Sequence, residues 1–201
     1  MSFSLAMPMT LIPQQERAGD VEDSTRWMLA LARGETGAMD CLLNRWWKPL
    51  MSYFLRSTHS AADSEDLTLA TLTQLYQAAP RYQPKGSFVA YLFTIARNVL
   101  ISHLRRQSRE RKHLLALEDL PLGQQPAAQS SQQSLQERQE QFEHALQSLP
   151  EVQRTALLLR VQQALSYEAI AEIIGLSVSA TKTCLHRARQ SVKTQLKEDH
   201  E

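Results

Sequence analysis

The chain has 201 residues, 43% hydrophobic and 21% charged, with 22 Lys and Arg against 21 Asp and Glu and a formal net charge of +1. That length holds one large domain or two small ones, and the composition excludes disordered and fibrous classes, while six glycines and eight prolines disfavour a turn-rich all-β fold. Two cysteines, Cys41 and Cys184, exclude a disulfide framework and fit a reducing cytoplasm, and the near-zero net charge taken alone argues against a polyanionic partner.

Residues 1–23 read as a leader. The first fifteen are apolar, but they lack the basic start of a signal peptide, and Pro8 and Pro13 interrupt them. No stretch approaches the roughly 20 apolar residues of a membrane-spanning helix. Beyond the leader the apolar spacing is helical nearly throughout. Leu29, Leu31 and Ala32 begin a first helix that Gly34 ends. A second runs from about Thr36 to Ser57, with Met39, Leu42, Leu43, Trp46, Trp47, Leu50 and Phe54 on its apolar face. Pro49 should kink or divide it, because proline removes a backbone donor and crowds the preceding turn. A third starts near Ala62 and Asp63, where acidic side chains suit a helix N-terminus, and stops before Pro80. After the loop 81–86, Ser87 is placed to cap a fourth helix that carries Phe88, Leu92, Ile95, Ala96 and Val99 and ends at Arg105 and Arg106.

Residues 118–136 are rich in Gln, Ser and Pro and nearly uncharged, the composition of a flexible linker. Helices follow over 135–148 and 151–163, the latter with Pro150 at an N1-like position. A short helix begins at Ser166 and Tyr167 and ends at Gly175; a long one, capped by Ser177, carries Leu185, Ala188, Val192 and Leu196. The expected fold class is therefore all-α: two small helical domains, 24–113 and 137–201, joined by a flexible linker over 114–136.

Divided along the chain, the charge is far from neutral. Residues 81–113 hold eight Lys and Arg and one acid, while residues 1–80 and 114–150 are net acidic. Residues 182–197 hold five basic residues and no acid. Two basic stretches, one in each half, are the footprint of a bipartite polyanion binder. The second coincides with a short helix, a glycine turn and a longer helix, the helix-turn-helix layout. Gly175 allows a left-handed turn, Ile170 and Leu176 are expected to pack between the helices, and small Ala171 allows close approach. The second helix would then present Val178, Ser179, Thr181, Lys182, Thr183 and His186 to a major groove, with Ser177, Arg187 and Arg189 at phosphates. In the first stretch, Tyr82 and Tyr91 are candidates to stack on unpaired bases, beside Arg97, Asn98, Arg105 and Arg106. No familiar catalytic box occurs, and the six histidines show no ligand spacing, so no cofactor, metal or catalytic residue is expected.

The segment Ser87-Phe-Val-Ala-Tyr-Leu-Phe-Thr-Ile-Ala-Arg-Asn-Val-Leu-Ile-Ser-His-Leu-Arg-Arg106 resembles the region-two signature of bacterial extracytoplasmic-function (ECF) sigma factors, F-x-x-W-L-x-x-I-A-R-N followed by D-x-x-R-R. Ser64-Glu-Asp-Leu67 is similar to the family's A-E-D-L. Leu146 to Arg154 is similar to its L-x-x-L-P-x-x-x-R, and 167–177 with 185–189 resemble its region four. The boxes cover residues 24–197 in the family's order. The resemblance implies a non-enzymatic chain that binds core RNA polymerase and directs it to promoter DNA. Its first domain would recognise and melt the minus-ten element through Tyr82, Lys85, Ser87, Tyr91, Arg97, Asn98, Arg105 and Arg106. Its second would read the minus-thirty-five element through the helix after Ser177, and Glu65, Asp66, Leu69 and Leu72 would dock on the polymerase clamp. An anti-sigma factor, sometimes membrane-anchored, is a further partner that the family implies; direct membrane insertion is not. Departures from the pattern are Thr68-Leu69-Ala70 after Asp-Leu, Tyr91 for tryptophan, Ser102 for aspartate, and Thr183-Cys184 in the recognition helix. Two alternatives stay open on the sequence: a sigma-like decoy that binds only an anti-sigma factor, and an ordinary helix-turn-helix regulator.

Overall fold

The computed structural model describes residues 14–115 and 141–198, and every regular element among them is helical. Among the described residues the helices are α1 (Gln14–Ala32), α2 (Ala38–Thr58), α3 (Ala61–Ala78), α4 (Phe88–Leu115), α5 over 141–147, α6 (Glu151–Gln162), α7 (Tyr167–Ile174) and α8 (Val178–Glu198). A 3-10 turn, Ala79–Arg81, follows α3. The expected leader over 1–13 and most of the expected linker lie outside the described residues.

The first four helices form one bundle. Trp46 anchors it: its ring is buried between Phe88 (centroids 5.9 Å apart) and Phe93 (6.4 Å), and its indole N–H donates to Ser24 Oγ at 3.0 Å. That bond satisfies the one polar atom of a buried tryptophan and pins α1 to α2. The bundle therefore takes in a helix that begins well before Leu29, so part of 14–23, expected as leader, belongs to α1. The division expected at Pro49 does not occur. Helix α2 runs through the proline because Leu42, Trp46, Leu50, Tyr53 and Phe54 bury one continuous face on either side of it. Packing on that scale outweighs the roughly 3 kcal/mol that an interior proline costs.

Helix α3 is capped one residue earlier than the acids suggest, by Ser60, whose Oγ accepts the Asp63 N–H at 3.2 Å. Helix α4 continues past Arg106 to Leu115. The second bundle packs α5, α6, α7 and α8 around Leu146, Leu149, Leu158, Ile170, Ile174, Leu185 and Ala188. Pro150 stands at the N-cap of α6 rather than inside it. The two bundles touch directly, chiefly α4 against α7 and α2 against α6. Among the described residues, no helix is long and apolar enough to cross a membrane, and no group of three His, Cys, Asp or Glu could hold a metal ion.

Candidate nucleic-acid interface

The turn between α7 and α8 is built from two local devices. Helix α7 starts at Ser166, whose Oγ accepts the Ala169 N–H at 3.1 Å, and ends at Gly175, where φ is 71°. The left-handed glycine lets Leu176 N–H return to Ala171 O at 3.0 Å, and Ser177 then caps α8 through the Ala180 N–H at 3.2 Å. Ser177→Ala is expected to cost about 1 kcal/mol of stability, and Gly175→Ala a similar amount through backbone strain alone, since a Cβ there would meet nothing within 4 Å. Chemical denaturation of the two variants checks both values.

Ser179, Lys182, Thr183 and His186 lie exposed at three- and four-residue spacing on α8, so they share one face, and Arg187 and Arg189 are exposed beside them. Thr181 does not join them. It is fully buried, its hydroxyl donates to Ser177 O at 3.0 Å, and it stands in register with buried Leu185, Ala188 and Val192. Val178 is half-buried, and Leu176, expected between the helices, is instead exposed at 40%. Two residues not singled out from sequence complete the surface. Lys182 Nζ lies 5.6 Å from the Tyr167 ring centroid and the Arg160 guanidinium 5.0 Å from it, both within cation–π range. Burial pushes the Cys184 thiol above its usual range, with Arg187 offsetting part of the effect, which disfavours a reactive thiolate at that position.

On the first bundle, Ser87, Tyr91, Asn98 and Arg105 recur along α4 at spacings that keep them on one stripe. Lys85, Ser87, Asn98, Arg105 and Arg106 are exposed. The Tyr82 and Tyr91 rings meet 5.1 Å apart at a tilt of 54°, and Tyr82 packs edge-on to Phe88 at 6.2 Å. Both phenols are raised by partial burial, so each is a neutral, half-open aromatic face. Arg97 is displaced from this stripe. One residue turns the helix by about 100°, which carries Arg97 away from Asn98 and toward α6 and α7. There its Nε lies 3.7 Å from Glu151 Oε1 and its Nη1 donates to Ile173 O at 3.5 Å, with the side chain only 16% exposed.

The expected polymerase surface also divides. Glu65, Asp66 and Leu69 are exposed on α3, Leu69 at 48%, but Leu72 is 2% exposed and belongs to the core. The position that extends the exposed face is Tyr76, 57% exposed and two turns on from Leu69.

Two family models match this chain: sigma-70 region 2 over residues 42–110 and sigma-70 region 4 over residues 139–192. Relatives include the RNA polymerase sigma factor YlaC of Bacillus subtilis, 28% identical over 82% of this chain and 95% of its own length. The ECF RNA polymerase sigma factor EcfG of Rhodopseudomonas palustris is 33% identical over 74% of this chain and 80% of its own length. Among solved structures, the sigma factor RpoE of Bartonella quintana, in complex with the anti-sigma factor NepR, matches with a TM-score of 0.62 at 26% identity, over 77% of this chain and 94% of that one. The chain belongs to the ECF branch of the sigma-70 family. It is a transcription-initiation factor that acts with RNA polymerase at promoters, and it is not an enzyme.

Proposed function

We propose that the two bundles divide promoter recognition between them. The first bundle takes the minus-ten element: Tyr82 and Tyr91 offer aromatic faces to unstacked bases, while Lys85, Asn98, Arg105 and Arg106 hold the backbone. The observation that carries this reading is the exposed α4 stripe, which joins those aromatic faces to a run of arginines on one side of one helix. The second bundle takes the minus-thirty-five element through Ser179, Lys182, Thr183 and His186, with Ser177, Arg187 and Arg189 at phosphates. Glu65, Asp66, Leu69 and Tyr76 form the surface that meets the polymerase. The chain works in the cytoplasm, and an anti-sigma factor holds it when it is not needed, as NepR is bound to RpoE in the Bartonella complex.

The test is run-off transcription with purified core polymerase on a genomic promoter library. The expected result is a small set of promoters sharing one motif near minus ten and another near minus thirty-five. Core binding without initiation on any promoter would overturn the reading in favour of a decoy.

A further inference from the structure

We infer that Tyr167 is a positioning residue: its ring holds the Lys182 ammonium at the flank of α8, so that Lys182 grips a DNA phosphate and leaves base reading to Ser179, Thr183 and His186. The inference rests on the minus-thirty-five reading above and moves Lys182 from its base-facing set to its phosphate set. Helix geometry separates Lys182 from its neighbours. At about 100° per residue, His186, Ser179 and Thr183 fall within an arc of about 60°, and Lys182 stands about 40° outside it, beyond His186. Arg189, exposed and two turns on, falls only about 20° further round, so the two cations share one flank.

That flank faces α7. Lys182 Nζ lies 5.6 Å from the Tyr167 ring centroid, and Tyr167, the first residue of α7, is half-buried against the core of the bundle. The ring is supported from α6: the Arg160 guanidinium lies 5.0 Å from its centroid and is tied down by an Nη1 donation to Leu165 O at 2.6 Å. Glu168 adds a second attraction. Its own backbone N–H and the Ser166 hydroxyl hold its carboxyl below the usual carboxylate range, with Lys182 and Arg160 adding to the effect. The residue after Tyr167 is thus an ionised carboxylate within electrostatic reach of Lys182. A lysine loses the freedom of a long, flexible stem when it meets a fixed phosphate, and a ring that already favours the held conformer removes part of that cost. A cation–π contact at an exposed site biases the population about 2- to 5-fold, which sets the size of the effect. The ring occupies one side of the ammonium, and the remaining N–H donors stay available to phosphate oxygens. Phosphate contacts fix where a protein sits without carrying sequence, so Lys182 sets affinity and register while bases are read beside it.

The test measures closed-complex binding by holoenzyme, assembled from core polymerase and the full chain. The probe is a duplex whose minus-thirty-five element comes from the run-off library, together with its single-base variants. Lys182→Met is expected to weaken every duplex alike, keep their rank order and reduce the salt slope by about 0.9. Tyr167→Leu, which keeps apolar bulk, is expected to weaken binding about threefold with the salt slope unchanged. Tyr167→Phe, which keeps the ring, should bind like wild type. In the Lys182→Met background Tyr167→Leu should cost nothing more, whereas a packing defect would cost the same in both backgrounds. In the free chain with carbon-13 dimethylated lysines, the signal that Lys182→Met removes should lie upfield through the ring current. It should persist in Tyr167→Phe and move to the exposed-lysine position in Tyr167→Leu. A changed rank order or an unchanged salt slope in Lys182→Met, or a Tyr167→Leu loss that is the same with and without the lysine, would overturn the inference. His186→Ala separates the two failures: altered base preference in that variant leaves the minus-thirty-five reading standing, and preference unaltered in both His186→Ala and Thr183→Ala sinks it.

Discussion

Leu69→Arg is expected to abolish most binding to core polymerase while leaving the fold at wild-type stability. Leu69 is 48% exposed in the middle of α3, so its apolar area contributes little to folding, and surface substitutions of this kind usually stay within about 0.5 kcal/mol. Arginine is a good helix former, and Glu65 one turn back offers it a favourable charge. The loss on binding is larger for two reasons. An apolar anchor at the centre of an interface is worth about 2 kcal/mol or more, and here a cation would also face whatever basic surface Glu65 and Asp66 are placed to meet. A loss of at least about 30-fold in affinity follows. Tyr76→Ala should weaken binding in the same assay. Leu72→Ala supplies the contrast. Buried at 2%, it should lose about 2–5 kcal/mol of stability through the cavity it leaves. Titration of labelled core polymerase, paired with thermal melts of each variant, separates the two kinds of leucine. Unchanged core affinity for Leu69→Arg would move the polymerase surface off this face of α3.

The contrast between Leu69 and Leu72 also shows what sequence can and cannot reveal. Devices that act within four residues were legible: Gly175 and Ser177 define the turn by backbone geometry and one hydroxyl, and neither depends on distant neighbours. The helical class and most element positions were legible for the same reason. Which side of a helix faces outward was less so. Thr181 reads as polar and therefore as a groove residue, yet its register with Leu185, Ala188 and Val192 puts it inside, its hydroxyl spent on Ser177 O. That register was visible in the sequence and outranks polarity. Pro49 failed as a breaker because tertiary burial of Trp46 and Tyr53 outweighs a local backbone penalty. Arg97 is the harder case. It shares a motif with Asn98, and only the arrival of α6 and α7 from the far end of the chain gives it Glu151 as a partner. No local pattern signals a contact separated by more than fifty residues.

Arg105→Ala combined with Arg106→Ala is expected to spare closed-complex formation and to cripple promoter opening. Both arginines are exposed near the outer end of the α4 stripe; Arg106 pairs with Glu110 at 3.7 Å on the surface, which contributes little to stability. Their removal should therefore leave the fold intact. Duplex binding to the minus-thirty-five element, proposed above to use α8, more than seventy residues away in sequence, should survive. The melted strand is different: on the reading proposed above its bases stack on Tyr82 and Tyr91, and its phosphates must be neutralised nearby. Two lost phosphate contacts to a single strand lower the salt slope of open-complex formation by about 1.4, at roughly 0.7 per contact. The expected phenotype is a drop of about 10- to 100-fold in open-complex yield at moderate salt, partly recovered as salt is lowered, with permanganate reactivity at bubble thymines falling in parallel. A control with Arg33→Ala, an exposed arginine in the turn after α1 that pairs with Glu35 at 2.7 Å, should change none of these readings. If bubble reactivity in the double variant matches wild type at every salt concentration, the arginines at 105 and 106 do not touch the melted strand, and the minus-ten surface must end nearer to Asn98.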